Sequence, residues 1–272
     1  LAAEPNPYLA REIARAANDR FLEQYLEESA APPTLHGAVV VATQNPEEAA
    51  AEIARVGEDP RMVAVLSGSA SFARPFGQPV YLPVLDAAVD AGLPIVIHAD
   101  GEVVLEAVAM PSAGGQPATW AELRILVAQN LATHMASLSA GGTFERHPDL
   151  KVILHGGSAR WLPPLLWRLD ANYKALHREV PWLRWLPSEY VRDNMRLTTY
   201  PLDPPGDPAR TAAMLALEPA YQPMLCFASG GDREDASSAE EVARSLPDRW
   251  ALAVMGATRP RSCDSQPVVR AL

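Results

Sequence analysis

An α/β fold, a distorted (β/α)8 barrel with parallel strands, is what this sequence predicts, and three observations lead there. Short runs rich in Val, Ile and Leu alternate with longer stretches of helical period, the pattern of strand–helix–strand units joined by right-handed crossovers. Two of the runs, residues 93–98 and 151–155, stop at an imidazole, His98 and His155. The C-terminal ends of parallel barrel strands are where such folds carry their chemistry. The third observation is size. A chain of 272 residues with no shift in composition suits one large barrel, so residues 1–272 read as a single domain.

The elements follow in order. Asn6-Pro7 offers an N-cap and a first helical residue for a helix over about residues 8–28, and Pro32-Pro33 closes it. Residues 37–43 form a buried strand. Asn45-Pro46 opens the next helix, which Gly57 stops. A strand over residues 62–66 leads into a loop rich in Ser, Gly and Pro, then a helix over residues 80–91 ending at Gly92. After the His98 strand comes a long helix over residues 120–138, closed by Gly141-Gly142. The His155 strand is followed by a helix over residues 161–178 with Pro163-Pro164 in its first turn. Strands at 195–199 and 224–228 and helices at 208–217 and 236–246 complete the pattern. Six strands are two short of a closed barrel. One irregular strand, or a first strand upstream of Leu1, would account for part of the difference.

Composition excludes several classes. The net charge of −10 argues against nucleic acid as the main partner, because phosphate backbones need a basic surface. No apolar run reaches the roughly 18 residues of a transmembrane helix. Leu1-Ala2-Ala3 lacks the charged and apolar regions of a signal peptide. The two cysteines, Cys226 and Cys263, do not make a disulfide framework, and a cytoplasmic protein is expected.

His98 is the sharpest chemical signal. An imidazole at a strand end ligates a metal through one nitrogen while a partner holds the other. His155 precedes Gly156-Gly157, which allow a sharp turn or the close approach of a ligand. Arg160 and Trp161 follow that turn and are the candidates to face the site and bind substrate. Arg160 offers a fork for a substrate carboxylate, against a solvated helix-start arginine as the plainer reading. Trp161, Trp167, Trp182 and Trp185 read first as core or subunit contacts, which leaves room for a homo-oligomer. His134 is expected to pack between helices, and His147 and His177 to lie at the surface. Residues 67–71 lack the phosphate-loop pattern, and there is no nucleophile elbow.

The segments GLPIVIHADGE, FERHPDLKVILHGGSARWLPPLLWRLDANYKALHREVPWL and PSEYVRDNMRLTTYPL resemble the amidohydrolase-related family, the group that includes aminocarboxymuconate-semialdehyde decarboxylase. The resemblance covers nearly the whole chain and is most specific over residues 144–202. It implies a distorted barrel with a divalent metal, zinc or manganese, at the C-terminal face of the strands. It also implies hydrolysis of lactones or amides, or non-oxidative decarboxylation of aromatic or muconate-like acids. On it, His98 matches the family's mid-barrel histidine, a metal ligand or catalytic group, and His155 the position on the next strand. The first-strand His-x-His pair has no match, since His36 precedes a strand instead of ending one. In the last-strand motif, Gly230 stands where the family has an aspartate and Arg233 where it has histidine. Asp232, two residues on, is the candidate stand-in acid/base, with a solvated loop aspartate as the plainer reading.

Two classes of function follow. One is a metal-dependent hydrolase or decarboxylase acting on a small molecule. The other is a degenerate, metal-free barrel that binds a small molecule or a partner subunit, favoured by the missing ligands because metal sites usually have at least three. Between them stands a lyase or cyclase using His98 as acid/base without metal.

Overall fold

The computed structural model describes residues 1, 4–26, 36–69, 74–98, 118–198 and 225–226. The sequence-derived helices over 208–217 and 236–246, together with Gly230, Asp232, Arg233 and Cys263, lie outside them.

The described strands are β1 Gly37–Val40, β2 Met62–Gly68, β3 Ile95–His98, β4 Val152–His155, β5 Met195–Thr198 and β6 Leu225–Cys226. They form one sheet in chain order, and every neighbouring pair is parallel. Each connection between them must therefore cross over. The helices in those crossovers are α2 Pro46–Val56, α3 Leu82–Asp90, α4 Trp120–Ala140, α5 Thr143–Arg146, α6 Leu162–Leu176 and α7 Pro187–Asn194. An N-terminal helix, α1 Pro7–Arg20, precedes β1.

Local chemistry sets the helix ends. Asn6 caps α1, accepting from the backbone N–H of Tyr8 and Leu9, with Pro7 in the first turn. Thr119 and Glu122 form a capping box that starts α4, and Gly141 closes it. The first helix does not run on regularly as the sequence suggested. After Arg20 it loosens into a π-helical turn, Phe21–Leu26. Helix α7 is an addition to the sequence reading. It is only eight residues long, begins at Pro187, and has Glu189 accepting from the backbone N–H of Leu186.

The sheet is buried on both faces, as in parallel sheets covered by crossover helices. One face carries Val39, Val65, Ile95, Ile97, Val152, Leu154, Met195 and Leu197, packed with Ile53, Leu85, Leu131, Leu138, Leu162 and Leu166 of the helices. The other face holds a smaller cluster of Ala64, Val96 and Ile153, joined by Ala38 and Leu66. Successive strand residues alternate between faces. His98 follows Val96 by two, and His155 follows Ile153 by two, so both histidines belong to this second face.

The edge of β1 is closed by a side chain. Asn18 of α1 accepts from the Val40 N–H at 2.9 Å and donates to the Val40 carbonyl at 3.0 Å. Its amide also donates to Glu52 at 2.8 Å, and Arg55 grips the same carboxylate with two bonds. Glu52 is thus a buried charge with its partners in place.

Candidate active site

The strand register assembles the site. His98 of β3 lies opposite His155 of β4, and Gly68 of β2 lies opposite His98. Thr198 ends β5 and pairs in turn with Cys226 of β6. The two imidazoles that close separate apolar runs in the sequence are therefore neighbours in space, with ring centroids 4.8 Å apart and planes inclined by 33°.

His155 is buried and His98 half-buried. Burial, reinforced by the neighbouring His98, pushes the His155 imidazole down to about 4. His155 Nδ1 lies 3.0 Å from Thr198 Oγ1, which also accepts from the Gly156 N–H at 3.4 Å. The tautomer with its proton on Nδ1 donates to Thr198 and turns an unprotonated Nε2 the other way, the form that ligates metal.

The turn after His155 is tightly drawn. Gly156 has φ 90° and Ser158 φ 57°, both in the left-handed region. A Cβ on Gly157 would stand 2.5 Å from Leu131 Cδ1 of α4, so a larger residue here would make that leucine shift. Arg160 is exposed at the end of the turn. Trp161 is half-buried against the core, and its indole N–H donates to the Gly157 carbonyl at 2.9 Å. Its role within the described residues is to brace the turn.

The strand before His98 is braced as well. The N–H of Ser69, just past β2, donates to the His98 carbonyl at 2.9 Å. His134, expected between helices, is wholly buried and reaches from α4 to this loop, with Nε2 2.7 Å from the Ser69 carbonyl. His147, expected at the surface, is mostly buried, with Nε2 3.0 Å from Asp86. His177 is exposed, as expected. His36 is exposed and precedes β1, at the opposite end of the sheet from His98.

Among the described residues no third His, Cys, Asp or Glu joins His98 and His155 in a group able to hold a metal ion. The two present fit a divalent transition metal in donor chemistry: adjacent imidazoles, one with its second nitrogen already engaged. Sequence reasoning singled out both histidines and expected His134 to be packed, but missed Thr198 and the link from His134 to Ser69. Thr198 is a β-branched residue at a strand end and His134 lies in mid-helix, so neither carries a local signal of its partner. No helix among the described residues is long and apolar enough to cross a membrane.

Comparison with known proteins places these residues in context. The family model described as Amidohydrolase matches residues 6–255. The gamma-resorcylate decarboxylase of Polaromonas sp. (strain JS666 / ATCC BAA-500) is 28% identical over 205 residues, 70% of this chain and 58% of that protein. The chain thus spans less than two thirds of that relative's length. Among solved structures, 5-carboxyvanillate decarboxylase from Sphingomonas paucimobilis matches with a TM-score of 0.65 and 24% identity, covering 89% of this chain and 69% of that one. Dihydroxybenzoic acid decarboxylase from Polaromonas sp. JS666, solved with manganese and 2-nitroresorcinol, matches with a TM-score of 0.62 and 21% identity. It covers 87% of this chain and 70% of that one. The fold is that of these barrels, and the described sheet supplies six of its staves in chain order.

Proposed function

Because the chain belongs to the amidohydrolase family, we propose that it is a metal-dependent non-oxidative decarboxylase for a small aromatic carboxylate, with His98 and His155 as metal ligands. The observation that carries this reading is the in-register pair of imidazoles at adjacent strand ends, one held in orientation by Thr198. The gamma-resorcylate decarboxylase likeness supports the substrate class, and the manganese-bound relative supports the choice of ion.

A bound divalent ion would supply positive charge that holds and polarises the substrate carboxylate. The chain's own residues do the rest. His98 and His155 would hold the ion, and Thr198 fixes the His155 ring. Arg160, exposed beside the turn, is positioned in sequence to pair a second anionic oxygen of the substrate. Trp161 keeps the turn in place through Gly157. Loss of the carboxylate as carbon dioxide leaves a ring carbon that must gain a proton, and Asp232 is the acid that the sequence offers for it. The chain acts as a single domain in this reading, in the cytoplasm, on a small molecule.

Metal content and turnover test the proposal together. Protein purified without chelator and reconstituted with Mn²⁺ should hold the ion and convert 2,6-dihydroxybenzoate to resorcinol and carbon dioxide. His98→Ala should lose both. Protein that takes up no metal after reconstitution would overturn the reading.

A further inference from the structure

His134 joins two ends of one loop with a single ring. Its Nε2 lies 2.7 Å from the Ser69 carbonyl, and its Nδ1 accepts from the Phe76 N–H at 3.2 Å. Ser69 begins the connection after β2 and Phe76 lies near its end. A neutral imidazole has one donor and one acceptor nitrogen on opposite sides, and the loop presents one acceptor and one donor to match. An aliphatic side chain of similar size would fill the space and leave a buried carbonyl and a buried N–H unsatisfied.

Other contacts press the same loop onto α4. Asn130, one turn before His134, donates to Ser69 Oγ at 3.4 Å. The His134 ring packs on Phe76, which stacks on Tyr81 at 4.5 Å. A Cβ on Gly77 would lie 2.1 Å from the Ser137 backbone oxygen, so the loop meets the helix backbone directly. Ser69 completes the chain of contacts, donating its N–H to the His98 carbonyl.

We propose that His134 is a positioning residue for the site: through Ser69 it fixes the backbone of His98, and so the placement of the His98 imidazole opposite His155. The inference rests on the reading of that histidine pair as the metal site, in which ligands must be held within about 0.5 Å of their working geometry. His134 touches no reacting group and acts only through the loop.

Imidazole NMR of the full chain without metal, at one fixed pH, reads the placement directly, and Mn²⁺ titration reads its consequence. His134→Leu should shift the ring signals of His98, speed amide exchange at Ser69 about fivefold, and weaken Mn²⁺ binding about tenfold. His134→Gln, which can donate to Ser69 and accept from Phe76, should restore all three. Asn130→Ala, which removes one contact to Ser69 and leaves the core filled, should shift the His98 signals in the same direction by less. A His134→Leu protein that melts earlier but keeps wild-type His98 signals and Mn²⁺ affinity would overturn the proposal. If that variant does not fold, unchanged His98 signals in Asn130→Ala would do so. His98→Ala separates the two readings: undiminished Mn²⁺ binding there sinks the metal site, while the His98 ring shifts still judge the role of His134.

Discussion

One hydroxyl serves both His155 and the turn that follows it: Thr198 Oγ1 lies 3.0 Å from His155 Nδ1 and 3.4 Å from the Gly156 nitrogen. Thr198→Val keeps the shape and removes the oxygen. Partners of metal-ligating histidines typically contribute about 10- to 100-fold to metal affinity, so with His155 as the proposed ligand Mn²⁺ binding should weaken on that scale. The fold should lose only about 1 kcal/mol. Thr198→Ser should bind nearly as wild type. Calorimetric titration with Mn²⁺, run beside a thermal melt, separates the two effects, and unchanged affinity in Thr198→Val would remove Thr198 from the site.

Asn18 does for β1 what a neighbouring strand would do. Its amide meets both the N–H and the carbonyl of Val40 and also reaches the buried Glu52. Asn18→Ala removes this partner from the Val40 N–H and carbonyl in a place that water scarcely reaches, since Asn18 is only 1% exposed, while Glu52 keeps Arg55. The expected cost is about 3 kcal/mol. Asn18→Asp should cost more, because a carboxylate replaces the group that donates to Glu52. Urea unfolding at constant slope measures both. A freed strand edge also pairs readily with other chains, so the variants should aggregate at lower concentration than wild type.

Much of the architecture was legible because it depends on local pattern. The apolar runs, the Asn-Pro helix starts, the Gly141-Gly142 helix stop and the two terminal imidazoles each sit within a few residues of the feature they announce. The parts that were missed depend on distant partners. Asn18 works with Val40, Thr198 with His155 and His134 with Ser69, separated by 22, 43 and 65 residues. Helix α7 escaped because its eight residues carry little period and its start at Pro187 reads equally well as a turn. The π-helical turn at Phe21–Leu26 keeps a helical pattern of residues while changing the backbone, so periodicity alone passes through it. The readings at Gly230 and Asp232 lie outside the described residues.

Tyr190 ties α7 to the segment before it. Its hydroxyl accepts from the backbone N–H of Arg184 at 2.9 Å and of Trp185 at 3.0 Å, and it donates to Glu145. Arg184, then Tyr190, hold the Glu145 carboxyl below its usual range, against the effect of burial. Tyr190→Phe strands the Trp185 N–H and removes one support of the carboxylate. The expected loss is about 2 kcal/mol in unfolding free energy. The sign of the pH effect follows from the lowered value. Stability from Glu145 is present above the unfolded carboxyl's range and is lost as pH falls through the folded one. Tyr190→Phe narrows that window, which an acid titration of unfolding free energy would show as a smaller drop at low pH.

His134 makes a separate contribution to pH dependence at milder acidity. Burial pushes its imidazole down to about 4, with the Ser69 carbonyl pulling the other way, while an unfolded histidine titrates near its ordinary 6.5. Between those values the unfolded chain binds a proton that the folded chain refuses. Stability is therefore fully present above about 6.5 and declines as pH falls toward 4. For one such group the decline between pH 7 and pH 5 is about 2 kcal/mol. His155 acts in the same sense, while lowered carboxylates such as Glu145 titrate below this interval. His134→Gln has nothing to protonate at this position. It should lose about 2 kcal/mol less than wild type on going from pH 7 to pH 5. Urea unfolding at the two pH values measures the difference. Equal losses in the two proteins would mean that His134 takes up its proton in the folded state as readily as in the unfolded chain.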